Sequence, residues 1–165
     1  MLRRAGVADL EGIMALERAT FTDDAWPEDA MRRELENPHT HYLVAVDDAA
    51  PADVLAYAGL LAGVGSGEGD IQTIAVDPGH RGAGLGRALV HALIDEARRR
   101  GAGRVFLEVR ADNPVARGLY VSLGFAEIGV RPRYYRHGVD AVVMRLDVPP
   151  AVAAPATTTP AEEPR

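Results

Sequence analysis

A single mixed α/β (α+β) domain, with strand hairpins towards both ends and helices between, is the fold class this sequence predicts. Three observations predict it. Helical signals occur in four separate segments, and apolar residues follow strand spacing in the runs between them. The two kinds of segment do not alternate one for one, as a doubly wound parallel sheet would require. A glycine-rich turn, RGAGLGRALV (81–90), carries the chain straight from a strand into an apolar helix. With 165 residues, 47% of them hydrophobic and 25% charged, the chain is long enough to bury one real core.

Each element has its own local reason. LEGIMALERATF (10–21) sets Leu10, Ile13, Met14 and the Ala15–Leu16 pair near one helical face. Trp26-Pro27 breaks the chain, and Pro27 can open a second short helix, PEDAMRRELEN, that ends near Asn37-Pro38. HYLVAV (41–46) and VLAYAGLLAG (54–63) are β-rich runs around the turn DDAAPAD, which reads as a hairpin. GVGSGEG is a flexible connection to the strand DIQTIAV (70–76), which Asp77-Pro78-Gly79 ends. After the glycine turn, Leu85, Ala88, Leu89, Ala92, Leu93 and Ala97 form one stripe of a helix that stops at Gly101.

GRVFLEVRA (103–111) is a strand with Val105, Leu107 and Val109 on one face and Phe106, Glu108 and Arg110 on the other. Asn113-Pro114 joins an N-cap residue to a proline at the first helical position, and that helix runs to Gly124. Two further strands, 126–135 and 139–146, flank the turn Arg136-His137-Gly138. From Pro149 the chain reads PPAVAAPATTTPAEEPR, without apolar period. It is expected to be a disordered tail, which leaves a folded domain of about residues 1–148.

Composition excludes several classes of chemistry. There is no cysteine, so disulfides, thiolate metal sites and a cysteine nucleophile are out. No apolar run approaches the roughly 18 residues of a membrane span. The N-terminus MLRRAGVADLEG lacks the apolar centre of a signal peptide, so the expected compartment is the cytoplasm. His39, His41, His80, His91 and His137 show no metal-ligand spacing, and no metal is expected. All 18 basic residues are Arg, a bias expected of a GC-rich genome.

Charge is unevenly placed. Residues 1–53 hold 12 acidic residues against 5 Arg, whereas residues 81–145 hold 12 Arg against 6 acidic residues. That division suits a polyanionic cofactor and a cationic substrate. Arg98, Arg99 and Arg100, at a helix C-terminus, equally complement the helix dipole without binding anything.

A strand, a glycine-rich turn and a helix N-terminus together make an anion site, because unpaired backbone N–H groups and the positive end of the helix dipole meet there. The same pattern is also a tight structural turn. A nucleoside-triphosphate loop needs Lys followed by Ser or Thr after its last glycine, where this chain has Arg87 and Ala88. The dinucleotide fingerprint needs G-x-G-x-x-G, where this chain has G-x-G-x-G.

The run IQTIAVDPGHRGAGLGRALVHALIDEA, followed by FLEVRADNPVARGLYVSLGFAEIG, resembles the core of the GNAT superfamily of acetyl-CoA-dependent N-acetyltransferases over about residues 70–130. RGAGLG (81–86) matches that superfamily's R-x-x-G-x-G/A pyrophosphate loop. LEVRADN (107–113), GLYVSLGF (118–125), RPRYYRHGVDAVVMRL (131–146), Trp26-Pro27 and HYLVAV are similar to the RimI subfamily, whose enzymes acetylate the N-terminal alanine of a small-subunit ribosomal protein. The resemblance implies a central mixed, mostly antiparallel sheet of about seven strands flanked by about four helices. It further implies acetyl-CoA as co-substrate with no metal. The expected partner is a protein with a free N-terminus, with no nucleic acid or membrane, and the expected state is a monomer or weak dimer.

Acetyl transfer to an amine requires a neutral amine, a polarised thioester carbonyl, a proton for the leaving thiolate and aligned substrates. An α-amino group has a pKa of about 7.7–8.0, so a base helps near neutrality. In an otherwise apolar strand, Glu108 is either a costly buried charge or a working group, and equally a carboxylate paired with Arg110 or another Arg at a strand edge. The resemblance makes it the general base. Tyr120 by position alone is a half-buried packing residue. The pattern of Asn113, Ala116, Leu119, Tyr120, Gly124 and Phe125 is what makes it the general acid, and it implies that Asn113 bonds the pantetheine arm of the cofactor.

By the same resemblance, backbone groups of Ile74, Ala75 and Val76 pair with the pantetheine and acetyl group. Arg81, Gly82, Ala83, Gly84, Leu85, Gly86 and Arg87 form the pyrophosphate loop. Gly118 departs from the helix former that relatives commonly place there, at about 1 kcal/mol relative to Ala. Trp26, with Asp23, Asp24, Glu28 and Asp29, could meet a basic peptide. Arg133, Tyr134 and Tyr135 in the penultimate strand could wall its groove. Three alternatives stay open: acetylation of lysine side chains or small amines, a CoA-binding sensor without catalysis, and nucleic-acid binding by the basic half. The overall acidity weakens the last.

Overall fold

The computed structural model describes residues 1–150, so the expected tail lies almost wholly outside the described residues. In chain order the elements are β1 (Leu2–Arg4), α1 (Leu10–Thr20), α2 (Glu28–Glu36), β2 (Thr40–Val46), β3 (Val54–Leu61), β4 (Glu68–Val76), α3 (Leu85–Arg99), β5 (Arg104–Arg110), α4 (Pro114–Ser122), β6 (Ala126–Arg131) and β7 (Ala141–Asp147). The seven strands form one sheet in the order β1-β2-β3-β4-β5-β7-β6. Only the β4–β5 pair is parallel. This is the mixed, mostly antiparallel sheet with four helices that the sequence implies. Among the described residues no helix is long and apolar enough to cross a membrane.

Strand period builds two cores from one sheet. In β2, Leu43 and Ala45 face one side and Tyr42, Val44 and Val46 the other, and all five are buried. The first side packs against Leu89, Val90, Leu93, Ile94 and Ala97 of α3 and against Tyr120 of α4. The second packs against Leu10, Ile13, Met14 and Leu16 of α1 and Met31 of α2. The α3 stripe therefore differs from expectation: Val90 and Ile94 are buried, while Ala88 is exposed. A helix lying across several strands buries a wider arc than a single row, and the larger side chains occupy it.

Three other expectations change. Leu2–Arg4 forms a strand that its length hides from any period count. It exists because β2 offers an edge, with Leu2 opposite Ala45 and the N-terminal ammonium 2.9 Å from the Val46 carbonyl oxygen. Strand β4 begins at Glu68, inside the stretch expected to be flexible. The penultimate strand stops at Arg131, because Pro132 has no N–H to donate and Arg133 takes a φ of +53°. Arg133, Tyr134 and Tyr135 consequently lie in the loop after β6, not in a strand.

At the start of α4, Asn113 caps as expected, its Oδ1 accepting the Ala116 N–H at 3.1 Å. Gly118 is exposed in mid-helix, and a methyl group there would meet no atom within 4 Å. Gly118→Ala is therefore expected to stabilise the protein by about 0.5–1 kcal/mol, or roughly 2–4 °C per kcal/mol in thermal denaturation.

The sheet opens where a site can form. The β4–β5 ladder ends at Ile71 opposite Leu107, yet β4 runs on to Val76 and β5 to Arg110. A bulge marks the parting. Gly59 faces Thr73 and Leu60 faces Ile71, so Gln72 is the extra residue on β4. Such an insertion bends its strand and leaves backbone unpaired.

Candidate active site

The glycine loop sits at the N-terminus of α3, beside this opening. Gly82 and Gly84 have φ of +81° and +84°, values that cost any residue with a Cβ, and no atom lies within 4 Å of where either Cβ would be. Ala83 is exposed between them, and Leu85 turns its side chain onto the core. The loop is braced from below. Asp77 accepts the Gly79 N–H at 3.1 Å and contacts His80 at 2.9 Å, while Arg81 Nε donates to the Val76 carbonyl at 3.2 Å. A methyl group on Gly86 would lie 3.5 Å from Leu119, so α3 and α4 pack closely here. Arg87 is engaged, donating to Ser122 Oγ on α4 at 2.8 Å.

Between the parted strands lies a cavity of about 180 Å³. It brings together Ile74, Glu108, Asn113, Tyr120, Trp26 and Tyr135 from five segments of the chain. Ala75 alternates away, into the core under α1. Tyr120 is 4% exposed and stacks edge-to-face on Phe125 at 5.9 Å between centroids. Burial, with Tyr135 adding to it, pushes the Tyr120 phenol well above its ordinary range.

A second, wider hollow of about 530 Å³ continues from the cavity across Phe106, Glu108, Asp70, Arg131, Tyr134 and Trp26. It exists because α1 and α2 cover this face of the sheet over β2, β3 and β4 and leave β5 and β7 bare. Glu108 is neither fully buried nor paired with Arg110. Its side chain is 24% exposed, and Arg131 Nε lies 3.1 Å from Oε1. Arg110 goes elsewhere, to Asp112 and to Asp24, each at 3.0 Å.

The aromatic walls feel that carboxylate. Burial, then the Glu108 charge, pushes Tyr135 up to about 12, and the Glu108 charge leads in raising Tyr134. Burial, then Glu68 and Glu108, raises Asp70. The loop carrying Tyr134 and Tyr135 is tied over the cavity to the α1–α2 loop through Asp24–Arg136 at 3.8 Å and Asp23–His137 at 3.2 Å. Arg133 does not join this wall. Its backbone N–H donates to Asp140 Oδ1 at 2.9 Å.

Among the cavity residues that sequence reasoning missed is Glu17 on α1, which is 1% exposed. Its signal was available, because residue 17 follows Leu10, Ile13 and Met14 on the apolar face at i+7, i+4 and i+3. Oε1 accepts the Trp26 N–H at 3.1 Å, and Oε2 has no partner among the described residues. Burial outweighs that single hydrogen bond and raises the carboxyl to about 6 from 4.5.

A folded-state pKa above the unfolded one means that stability is fully present with Glu17 protonated, below about pH 4.5, and is lost as pH rises through about 6. The ionised form costs on the order of 2 kcal/mol. Glu17→Gln is expected to be more stable than the parent by about 1–2 kcal/mol at pH 8 and equal to it at pH 4. Urea denaturation across that range measures the difference.

Comparisons with known proteins agree with one another. The sequence pattern of the Acetyltransferase (GNAT) family matches residues 10–125. The chain is 44% identical over 144 residues to the N-alpha-acetyltransferase RimI of Mycobacterium tuberculosis, covering 85% of this chain and 87% of that protein. The crystal structure of the ribosomal-protein-S18-alanine N-acetyltransferase from Escherichia coli superposes with a TM-score of 0.80 at 31% identity, covering 92% of this chain and 95% of the other. Arabidopsis thaliana NAA60, crystallised with acetyl-CoA, shares the fold with a TM-score of 0.81 at 17% identity, covering 90% of this chain and 98% of its own.

Proposed function

Since the chain belongs to the Acetyltransferase (GNAT) family and is an acetyl-CoA-dependent acyltransferase, we propose that its acceptor is a protein N-terminus, most specifically the N-terminal alanine of ribosomal protein S18. The observation that carries this reading is the 44% identity to an N-alpha-acetyltransferase across nearly the whole folded chain. An acceptor borne on a ribosomal protein places the work in the cytoplasm.

Acetyl-CoA supplies an acyl group activated as a thioester. The glycine cradle at residues 82–86 has the open space and the helix N-terminus that a pyrophosphate requires. Backbone of Ile74 to Val76, left without a β5 partner, extends that reach into the cavity as one strand pairs with an added one. Asn113, while capping α4, lines the same cavity and would hold the pantetheine arm.

Glu108 takes a proton from the α-ammonium group, and the freed amine attacks the thioester carbonyl in a ternary complex. A C–N bond forms, the nitrogen gives up its second proton to solvent, the C–S bond breaks, and Tyr120 gives its proton to the departing thiolate and regains one from solvent. A phenol pushed upwards by burial stays protonated until that moment. The thiolate expelled beside it is made more basic by the same burial, so donor and acceptor remain matched. Tyr120→Phe keeps the ring and its contact with Phe125 and removes only the proton. It is expected to lower kcat about 10- to 100-fold with little change in thermal stability.

The acceptor assignment is tested by offering acetyl-CoA with peptides of free or blocked N-terminus and with polyamines, then locating the acetyl group by mass spectrometry. Transfer to the α-amine of an alanine-initiated peptide is expected. Transfer confined to internal lysines or to small amines overturns the assignment, and tight CoA binding without turnover supports a sensor instead.

A further inference from the structure

Glu17 lines the cavity yet has no part in the chemistry above. Three carboxylates reach this cavity: Glu17, Asp24 and Glu108. Asp24 is paired with Arg110 and Arg136, and Glu108 with Arg131. Glu17 has no cationic partner among the described residues, although it is the most deeply buried of the three. An isolated buried charge is among the costliest arrangements a protein can hold.

A purely architectural role does not account for that charge. Holding the Trp26 N–H needs one acceptor oxygen, which a glutamine amide would supply without ionising. The second oxygen is what remains unexplained, buried without a partner on a residue that lines the cavity a small group must enter. Helix α1 packs over β3 and β4, so Glu17 is delivered from the β4 side, whereas Glu108 stands on β5. A primary amine arriving between the two strands comes within the field of both.

We propose that Glu17 Oε2 is the binding contact for the acceptor's α-ammonium group, accepting one N–H while Glu108 removes the proton that frees the nitrogen to attack. This rests on the proposed N-terminal acceptor and deepens it, because the cation that the cavity lacks is the ammonium of the substrate. The division of labour is by position. Glu17, shut away from water, selects and holds the charged amine. Glu108, open to the hollow and screened by Arg131, handles the proton.

The test compares the wild type and Glu17→Gln with two peptides: an alanine-initiated acceptor, and an analogue whose first residue carries hydroxyl in place of the α-amine. The analogue is measured as a competitive inhibitor against the acceptor. In the wild type the amine peptide is expected to bind at least 10-fold more tightly than the analogue. Glu17→Gln is expected to raise the acceptor KM at least 10-fold, with the acetyl-CoA KM and the analogue's inhibition constant unchanged.

Trp26 is the only tryptophan in the chain, so its fluorescence reports whether the loop stays anchored in the variant. Equal weakening of both peptides, or of neither, overturns the assignment, as does a wild type that does not prefer the amine. A wild type that acetylates no peptide N-terminus overturns the proposed acceptor and this contact together. Normal wild-type turnover with a silent Glu17→Gln removes this contact alone.

Discussion

Replacing Glu108 with Gln is expected to reduce kcat about 10²- to 10⁴-fold at pH 7 while leaving the acetyl-CoA KM unchanged. The substitution keeps the shape of the side chain on β5 and removes its capacity to take a proton. The deficit should shrink as pH rises past about 8, where the α-amine of the acceptor loses its proton to solvent without help. Stability should barely move, because the Glu108–Arg131 pair sits at an open face where solvent screens it. Steady-state kinetics with an alanine-initiated peptide between pH 6 and 9 separates these effects. An unaltered rate and pH profile would remove Glu108 from the mechanism.

The second large effect falls on stability. Gly59 on β3 faces Tyr42 on β2, and a Cβ at Gly59 would lie 2.2 Å from the Tyr42 ring. The ring, 2% exposed, lies across the bare glycine backbone and has nowhere to retreat between two covered faces of the sheet. Its hydroxyl donates to Gln72 Oε1 at 2.8 Å, and Gln72 is the bulge residue at which β4 leaves β5. Gly59→Ala is expected to cost about 3 kcal/mol, at the upper end of what overpacking usually exacts. It should also lower activity, because displacing Tyr42 disturbs the bulge that opens the cavity. Urea denaturation measures the loss. Tyr42→Leu in the Gly59→Ala background should recover part of it, since the two side chains share one space. Additive losses would show that the clash is not the cause.

Legibility in the sequence followed the range of the forces involved. The Asn113-Pro114 cap, the end of α3 before Gly101 and the open loop of Gly82 and Gly84 were readable because each depends on backbone stereochemistry within a few residues. Glu108 and Tyr120 were found through motif resemblance, and both line the cavity. The alternation along 103–111 correctly set Val105, Leu107 and Val109 on the buried face. It could not say what covers the other face, and so left Glu108 open between a buried charge, a working group and an ion pair. The sequence reads Tyr134 and Tyr135 as strand residues, but Pro132 and the positive φ of Arg133 end the strand at Arg131.

By itself, then, the sequence determined the order of helices and strands, the open glycine turn at the head of α3 and the family to which the chain belongs. These follow from local dihedral preferences and from residue patterns that lie contiguous in the chain. Only the tertiary structure decided that Leu2–Arg4 becomes an edge strand, that β4 and β5 part at Gln72, and that α1 turns Glu17 inward while the Glu108 face stays open. Each of these is settled by a partner distant in the chain: β2 for β1, β3 for the bulge, the limits of α1 and α2 for the two carboxylates. Burial and strand pairing are properties of the assembled layers, and no stretch of sequence carries them alone.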